Sequence, residues 1–331
     1  MSAASPTVQR NRHGLRLLLD PLGEYHVSLD TIAEFEEAMC CDPRVHAVRS
    51  SRAVAKASAR LLRLLTRMHL GLPAARATHS TRDCLVVLMS VDIRRCLPYF
   101  LLPGRKSVYL MDAWPNTHES IKDLVRTFSV NHLFISSSMA VERLKGDLPR
   151  CTVTWVPEAI EPKKYRYFPN ADKDIAVLQL GRKYDKLHEA ILPILEENGT
   201  AYLYEKVKGK IIFPTREAFV NGLARTKISI CVPSNITHPD RSGDIETLSV
   251  RYLQSMASKC LVVGHAPAEL VSLFGYNPVV EIDMADPAGQ ILSLLEDFDA
   301  HASLIERNYT TVAQHHTWHH RWEMMAGLLF P

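Results

Sequence analysis

Short runs of Val, Ile and Leu, each the length of one strand, recur along this chain and are separated by longer segments with helical spacing. The runs predicted as strands are Leu15–Leu19, Cys84–Met89, Ser107–Leu110, His132–Ile135 and Thr152–Val156, then Ile175–Leu180, Thr200–Tyr204, Lys227–Val232, Cys260–Val263 and Val279–Ile282. Most are continuously apolar rather than alternating, the pattern of strands covered on both faces. Helical spacing fills Leu29–Met39, Val45–Leu70, Glu119–Ser129, Met139–Lys145, Lys186–Asn198, Arg216–Ala224, Thr247–Ser258 and Asp286–Ala300. Alternation of this kind is α/β with mostly parallel sheets. The pattern restarts after Pro157–Asp174, a stretch rich in Pro and charge. The chain's 331 residues allow about two domains at roughly 150 residues each. Two doubly wound domains facing one another would place a cleft at the carboxyl ends of both sheets, where such folds bind ligands.

Composition removes several classes. A hydrophobic fraction of 47% with 23% charged residues excludes disorder of the whole chain. Fourteen Gly and nineteen Pro exclude a collagen-like or low-complexity chain. A net charge of +3 is too near balance for a dedicated nucleic-acid binder. Seven Cys, an odd count with no C-x-x-C pair, favour a reducing, cytoplasmic compartment. The amino terminus, MSAASPTVQRNRHG, has no apolar run of a secretory signal. No stretch approaches the roughly 18 apolar residues of a membrane span. Neither a G-x-x-x-x-G-K-[ST] loop nor G-x-G-x-x-G is present, so no glycine signature supports an NTPase or a dinucleotide enzyme. No G-x-S-x-G elbow occurs either. His315, His316, His319 and His320 have spacing that suits a metal, but no H-E-x-x-H frame accompanies them, and a polar helix face with packed imidazoles is the favoured reading. Asp297 and Asp299 form a D-x-D inside a helical pattern, favouring solvated surface over metal chelation.

Chemistry concentrates in Cys231–Glu269. A strand ends at Pro233. A polar loop follows, with Ser234, Asn235, Thr237, His238, Asp240, Arg241, Ser242 and Gly243, and a helix is predicted from Glu246–Thr247 to Ser258. Free amides and the positive end of the dipole at such a helix start favour an anion. Arg241 and Arg251 can bind phosphate bidentately. Glu246 is an acceptor suited to paired sugar hydroxyls, and Gln254, with seven residues between, would lie along the same helix face. The plainer alternative is an N-cap at Asp244 or Thr247 and an ordinary ion pair at Arg251.

Glu246-(seven residues)-Gln254-Ser-Met-Ala-Ser-Lys-Cys-Leu-Val-Val resembles the E-x7-E…A-M-A-x-G-x-P-V-V segment of nucleotide-sugar glycosyltransferases of the GT-B fold, glycosyl transferases group 1 type. The spelling ETLSVRYLQSMASK is closer to the CgeB, spore-protein-like branch with its R-x-(Y/F)-E motif. LQLGRKYDKL (Leu178–Leu187) resembles the G-R-x(n)-K segment that opens the family's C-terminal domain, and WVPEAIEP (Trp155–Pro162) its P-x-(G/A)-(I/V)-(D/E) linker. YLMDAWP (Tyr109–Pro115) is similar to a strand end of the acceptor half, and HTWHHRW (His316–Trp322) to the tail helix that crosses back. The resemblance spans about residues 105 to 325. Gln254 stands where the family has a second Glu, and Lys259 where it has Gly. An amide still donates and accepts, so ribose binding can survive the first change.

The resemblance implies two Rossmann-like doubly wound domains facing a central cleft, over 1–160 and 161–310, with a C-terminal helix, 311–331, packing back on the first. It implies Arg182 and Lys186 against the donor diphosphate, Glu246 on the donor sugar, and Thr237–Gly243 wrapped around phosphates or sugar. Donor contacts would come from Ser234, His238, Arg241, Ser242, Gly243, Thr247, Arg251 and Gln254. Asp112 would be the N-terminal base or acceptor contact, against the alternative of a strand-end turn Asp. The expected reaction is sugar transfer from a nucleotide diphosphate donor to a glycan, lipid-linked or small-molecule acceptor. It would proceed without cofactor or bound metal and with retention, as in polysaccharide biosynthesis. A nucleotide-sugar epimerase and a non-catalytic partner protein on the same fold are the alternatives. No nucleic-acid partner is expected. Residues 44–70 carry Arg44, Arg49, Arg52, Lys56, Arg60, Arg63 and Arg67 with no acid. That pattern is either a solvated basic face, the favoured reading, or a peripheral contact with anionic lipid at the inner face of the membrane.

Overall fold

The computed structural model describes residues 14–20, 29–67, 83–181, 183–207 and 209–331. Among the described residues, eleven strands form two all-parallel sheets. Strands β1 (Leu15–Leu19), β2 (Val45–Arg49), β3 (Cys84–Leu88), β4 (Lys106–Leu110), β5 (His132–Ile135) and β6 (Thr152–Trp155) make the first, in the order β2-β1-β3-β4-β5-β6. Strands β7 (Ile175–Gln179), β8 (Tyr202–Tyr204), β9 (Thr226–Cys231), β10 (Leu261–Gly264) and β11 (Val280–Glu281) make the second, in the order β11-β10-β9-β7-β8.

The central strands are buried on both faces, as their continuous apolar runs require. Alternate residues feed two separate cores. Val86, Leu88, Val108 and Leu110 pack under helices Arg52–Arg67, His118–Phe128 and Ser138–Leu144. Leu85, Val87 and Tyr109 face helices Asp30–Cys40 and Trp318–Leu329. The second sheet does the same, with Leu178 and Val262 on one side and Val177, Ile228 and Leu261 on the other.

The span 45–70, which reads as one helix in sequence, divides. Val45–Arg49 is an edge strand paired in parallel with β1, and the helix is Arg52–Arg67. Its apolar residues are too few to mark it: only Val45 is fully buried and His46, Ala47 and Arg49 are exposed. Residues 68–70 of that span lie outside the described residues. Helix Ala268–Phe274 had no counterpart in the spacing, and of helix Ala302–His315 only the part up to Asn308 fell in the helical pattern that holds Asp297 and Asp299.

The chain crosses between the sheets twice, at 156–174 and at 316–317. A bridge between Ile160 and Thr317 joins the two crossings. Beyond it, Trp318 stacks on Phe35 at 4.3 Å and fixes the last helix on the first sheet's domain. Two ties hold the domains together along this side. Arg216 pairs with Glu34 at 2.6 Å. Tyr165 donates to Glu34 at 3.1 Å. Burial raises the Glu34 carboxyl, against the Arg216 charge. Among the described residues no helix is long and apolar enough to cross a membrane.

Candidate functional site

The carboxyl ends of the two sheets face one another across a cleft of two adjoining chambers, about 390 and 290 Å³. Met111, Glu158, Gly181, Ser249 and Arg251 line both. The larger chamber is walled mainly by Met89, Leu180, Ile211, Ile212, Phe213 and Phe219. The smaller is polar, with Asp112, Trp114, Ser234, Thr237, Arg241 and Thr247. A hollow of about 600 Å³ lies at the opposite, amino end of β5 and β6, lined by Val125, Asn131, Leu148 and Cys151. It lies within the first domain alone, away from the meeting of the two sheets.

The junction of the chambers is built from three segments. After β7 the backbone turns at Gly181 with φ 69°, a left-handed value that suits glycine. A Cβ there would stand 3.2 Å from the Arg251 guanidinium. Arg251 donates to the Leu180 carbonyl at 2.7 Å, which ties helix Val250–Ala257 to the end of β7. Glu158 enters from the crossing after β6, and its Oε2 accepts the Val250 amide at 2.6 Å, at the first residue of that helix. Burial, and then the Asp112 charge, push the Glu158 carboxyl up to about 8, against the Val250 amide and Arg251. A carboxylate seated on a helix-start amide occupies the position that favours an anionic ligand.

A second buried carboxylate clasps the walls. Glu269 accepts the amide and hydroxyl of Ser138 from the first domain, the hydroxyl of Thr247 at 3.0 Å and the Leu248 amide at 3.0 Å. Asp112, just after β4, pairs with Arg241 across the cleft at 2.6 Å. The Arg241 guanidinium lies 5.7 Å from the Trp114 ring centre. The Trp114 indole N–H is buried with no hydrogen-bond partner among the described residues, and the Trp114 side chain lines the polar chamber.

Several sequence candidates meet in this cleft: Asp112, Ser234, Arg241, Thr247 and Arg251 in the polar chamber, with Arg251 and Gln254 in the apolar one. Gln254 donates to the Tyr165 hydroxyl at 3.0 Å. That bond joins it to the Glu34–Arg216 tie. Others stand elsewhere. His238 and Ser242 hold the two short turns Ser234–Thr237 and Pro239–Ser242 together, Ser242 donating to the His238 carbonyl at 2.9 Å. Gly243, at φ 56°, abuts Pro115 of the first domain. Lys186 is exposed on the first turn of helix Asp185–Glu197 and is absent from the lining. Arg182 lies outside the described residues.

Glu246 differs most from expectation. The helix starts at Val250, not near Glu246, so Glu246 and Gln254 do not share a helix face. Residues 244–249 run as a loop, because Thr247 and Leu248 are held by Glu269 rather than by helical bonds. Glu246 accepts the Ala268 amide at 2.9 Å, at the start of helix Ala268–Phe274, and contacts His265 at 3.2 Å. It caps that helix and is absent from the cleft lining. The carboxylates that do serve the cleft from beneath, Glu158 and Glu269, went unmarked in sequence. Glu158 had one signal, its place directly after Pro157 at the start of the crossing segment.

The histidine cluster is structural. His316 stacks on Phe274 at 4.8 Å and bonds Arg321, while His320 completes the cap of the last helix with Thr317. Burial pushes the His316 imidazole down to about 3. Asp297 ends helix Pro287–Glu296, Asp299 accepts from Asn170 at 2.8 Å, and neither lines the cleft. Lys259 is left-handed, at φ 51°, a value that suits glycine, with its ammonium over Tyr167 and Tyr309 at 4.1 and 4.6 Å.

The architecture is that of GT-B. A family model described as glycosyl transferase-like matches residues 202–327. Among solved structures, an α-glucosyltransferase in complex with UDP-glucose and DNA containing an abasic site matches with TM-score 0.60 at 13% identity, covering 96% of this chain and 100% of that one. Sucrose-phosphate synthase from Thermosynechococcus elongatus matches with TM-score 0.58 at 12% identity, covering 96% and 98%. Anabaena Alr3699/HepE, in complex with UDP and glucose, matches with TM-score 0.55 at 10% identity, covering 96% and 99%. No curated protein matches the chain in sequence.

Proposed function

We propose that the chain is a glycosyltransferase that moves a sugar from a nucleotide diphosphate donor to a hydroxyl of a glycan, lipid-linked or small-molecule acceptor. The observation that carries this reading is the pair of adjoining chambers, one apolar and one polar, meeting at Gly181, Ser249, Arg251 and Glu158. The glycosyl transferase-like match over 202–327 and the GT-B neighbours bound to UDP or UDP-glucose support it.

The base would sit among Ile212, Phe213 and Phe219, with Gln254 near the ribose. The diphosphate would lie against the Gly181 turn and take the Val250 amide from Glu158, with Arg251 stabilising the charge that grows on the leaving group. Arg182, in the connection after β7, and Lys186, on the first turn of the next helix, would supplement it. These cations and the helix start are the proposed replacement for a divalent ion. The sugar would occupy the polar chamber, its hydroxyls on Ser234, Thr247 and the Trp114 indole. As the sugar C1–oxygen bond to the diphosphate breaks, a bond forms from C1 to the acceptor oxygen. We propose retention, in which the acceptor proton passes to the departing diphosphate and Asp112 orients the acceptor hydroxyl. The seven free thiols support a reducing, cytoplasmic setting.

The test is calorimetric titration with UDP, GDP, CDP and dTDP in EDTA. Micromolar binding of one diphosphate is expected. No binding by any of them overturns the donor site. With the donor so found, Asp112→Asn should lower turnover about 100-fold while leaving donor affinity within a few-fold. Unchanged turnover removes Asp112 from the reaction. Conversion of the nucleotide sugar without acceptor, followed by NMR, would replace transfer by epimerisation.

A further inference from the structure

Helix Arg52–Arg67 presents three distinct faces to its surroundings. At about 100° per residue, Arg52, Lys56, Arg60, Arg63 and Arg67 fall within an arc of about 80°. Ala55 and Leu62, on another arc, are buried against the first sheet. The remaining arc, of about 100° and adjacent to the basic one, holds Ala53, Val54, Ala57, Leu61 and Leu64. All five are exposed, with Val54 at 46%, Leu61 at 48% and Leu64 at 53%. A helix that served only to cover the sheet would turn leucines inward and polar residues outward. This one turns Leu61 and Leu64 outward, beside a row of cations, with no acidic side chain along its length.

We propose that this face docks reversibly on an anionic lipid bilayer, the apolar arc entering the interface while the basic arc meets lipid phosphates. The charge pattern and the exposed leucines are complementary to that surface together, not singly. Nucleic acid would use the basic arc alone and has no use for aliphatic side chains aimed at solvent. The helix begins three residues after the carboxyl end of the edge strand β2, at the end of the sheet that carries the cleft, and is about 24 Å long. Docking along it therefore sets the cleft beside the membrane surface. Ile93, 37% exposed, lies beyond Arg63 and Arg67 on the wall of a groove facing helix His118–Phe128, whose Asp123 also lines it. One helix of this kind is a single signal, so the contact is expected to be weak and salt-sensitive rather than an anchor. The proposal stands apart from sugar transfer, because the helix shares no residue with the cleft lining.

The experiment is co-sedimentation of the full chain with vesicles of phosphatidylcholine alone and of phosphatidylcholine mixed with phosphatidylglycerol. Binding to the mixed vesicles is expected to exceed binding to neutral ones by about tenfold or more. Leu61→Ser with Leu64→Ser, both on the exposed arc, should abolish it while leaving the melting temperature and nucleotide titration unchanged. Lys56→Gln with Arg60→Gln and Arg63→Gln should weaken it by about tenfold or more. Equal binding to neutral vesicles, or none to either, overturns the proposal. So does retention of anionic-vesicle binding by the leucine variant. A DNA duplex that binds the wild-type and leucine-variant chains alike, in the absence of vesicle binding, would reassign the basic arc to nucleic acid.

Discussion

The two walls of the cleft bring opposite chemistry. The C-terminal wall offers an amide at a helix start, a glycine turn and the fixed cation Arg251. Facing it, the N-terminal wall and its crossing segment offer carboxyl groups, Asp112 and Glu158. Each wall neutralises the other in this structure: Arg241 holds Asp112, and Glu158 holds the Val250 amide. Under the proposed function, anion binding and acceptor handling would be divided between two bodies. The site is complete only while the bodies stay together, and the buried Glu269, which reaches Ser138 on one side and Thr247 and Leu248 on the other, is one group that joins them.

Removing that clasp should break the arrangement most. Glu269→Ala strands donors from both walls, and a loss of about 3–5 kcal/mol is expected, read as a fall in thermal and denaturant midpoints. A loss below about 1 kcal/mol would mean that the walls are held by other contacts. Arg251→Ala tests the cationic wall by itself. Loss of a charged hydrogen bond to a diphosphate should weaken binding by about 30-fold, roughly 2 kcal/mol, in the same calorimetric titration. Unchanged affinity would shift the anion to another part of the cleft.

The acidic wall is tested by pH. Glu158 binds its proton up to about 8 in the folded chain, against the ordinary 4.5. The folded state therefore holds the extra proton between those values. The stability it contributes is present below about 4.5 and is lost as pH rises towards 8. Donor binding follows the same sign. Above about 8 an ionised Glu158 competes for the Val250 amide and repels a diphosphate, so affinity should fall severalfold on going through that value. Glu158→Gln should flatten both dependences. A wild-type profile flat through that range would show that Glu158 does not face the donor.

The smallest effect is expected at Glu246. Glu246→Ala removes a cap on helix Ala268–Phe274 and should cost about 1 kcal/mol of stability, with donor affinity within about twofold of wild type. A loss as large as that of Arg251→Ala would return Glu246 to the site.

These contrasts follow how legibility varied along the chain. Strands β1 and β5 and helix Arg216–Ala224 have the bounds their spacing predicted, since uninterrupted apolar runs and capping residues such as Thr215 act locally. The edge strand β2 did not, because an edge strand half in water carries little apolar signal, and the basic helix that follows masked it. Lys259 adopts a left-handed backbone that glycine would take more readily, and Tyr167, Tyr309 and Glu306 receive its ammonium.

Local sequence by itself determined the two parallel sheets, the crossing between them and the segment that supplies Arg241, Arg251 and Gln254. All of these depend on hydrophobic period and on turn residues, which act over a few positions. Which carboxylate faces the cleft was decided only by tertiary structure. Glu246 and Glu158 are alike as residues, and each satisfies a helix-start amide. One caps Ala268 away from the cleft and the other reaches Val250 from the opposing domain, because the start of a helix is set by which long-range partner holds the preceding backbone. Here that partner is Glu269 on Thr247 and Leu248, a contact between distant residues that no spacing in the chain encodes.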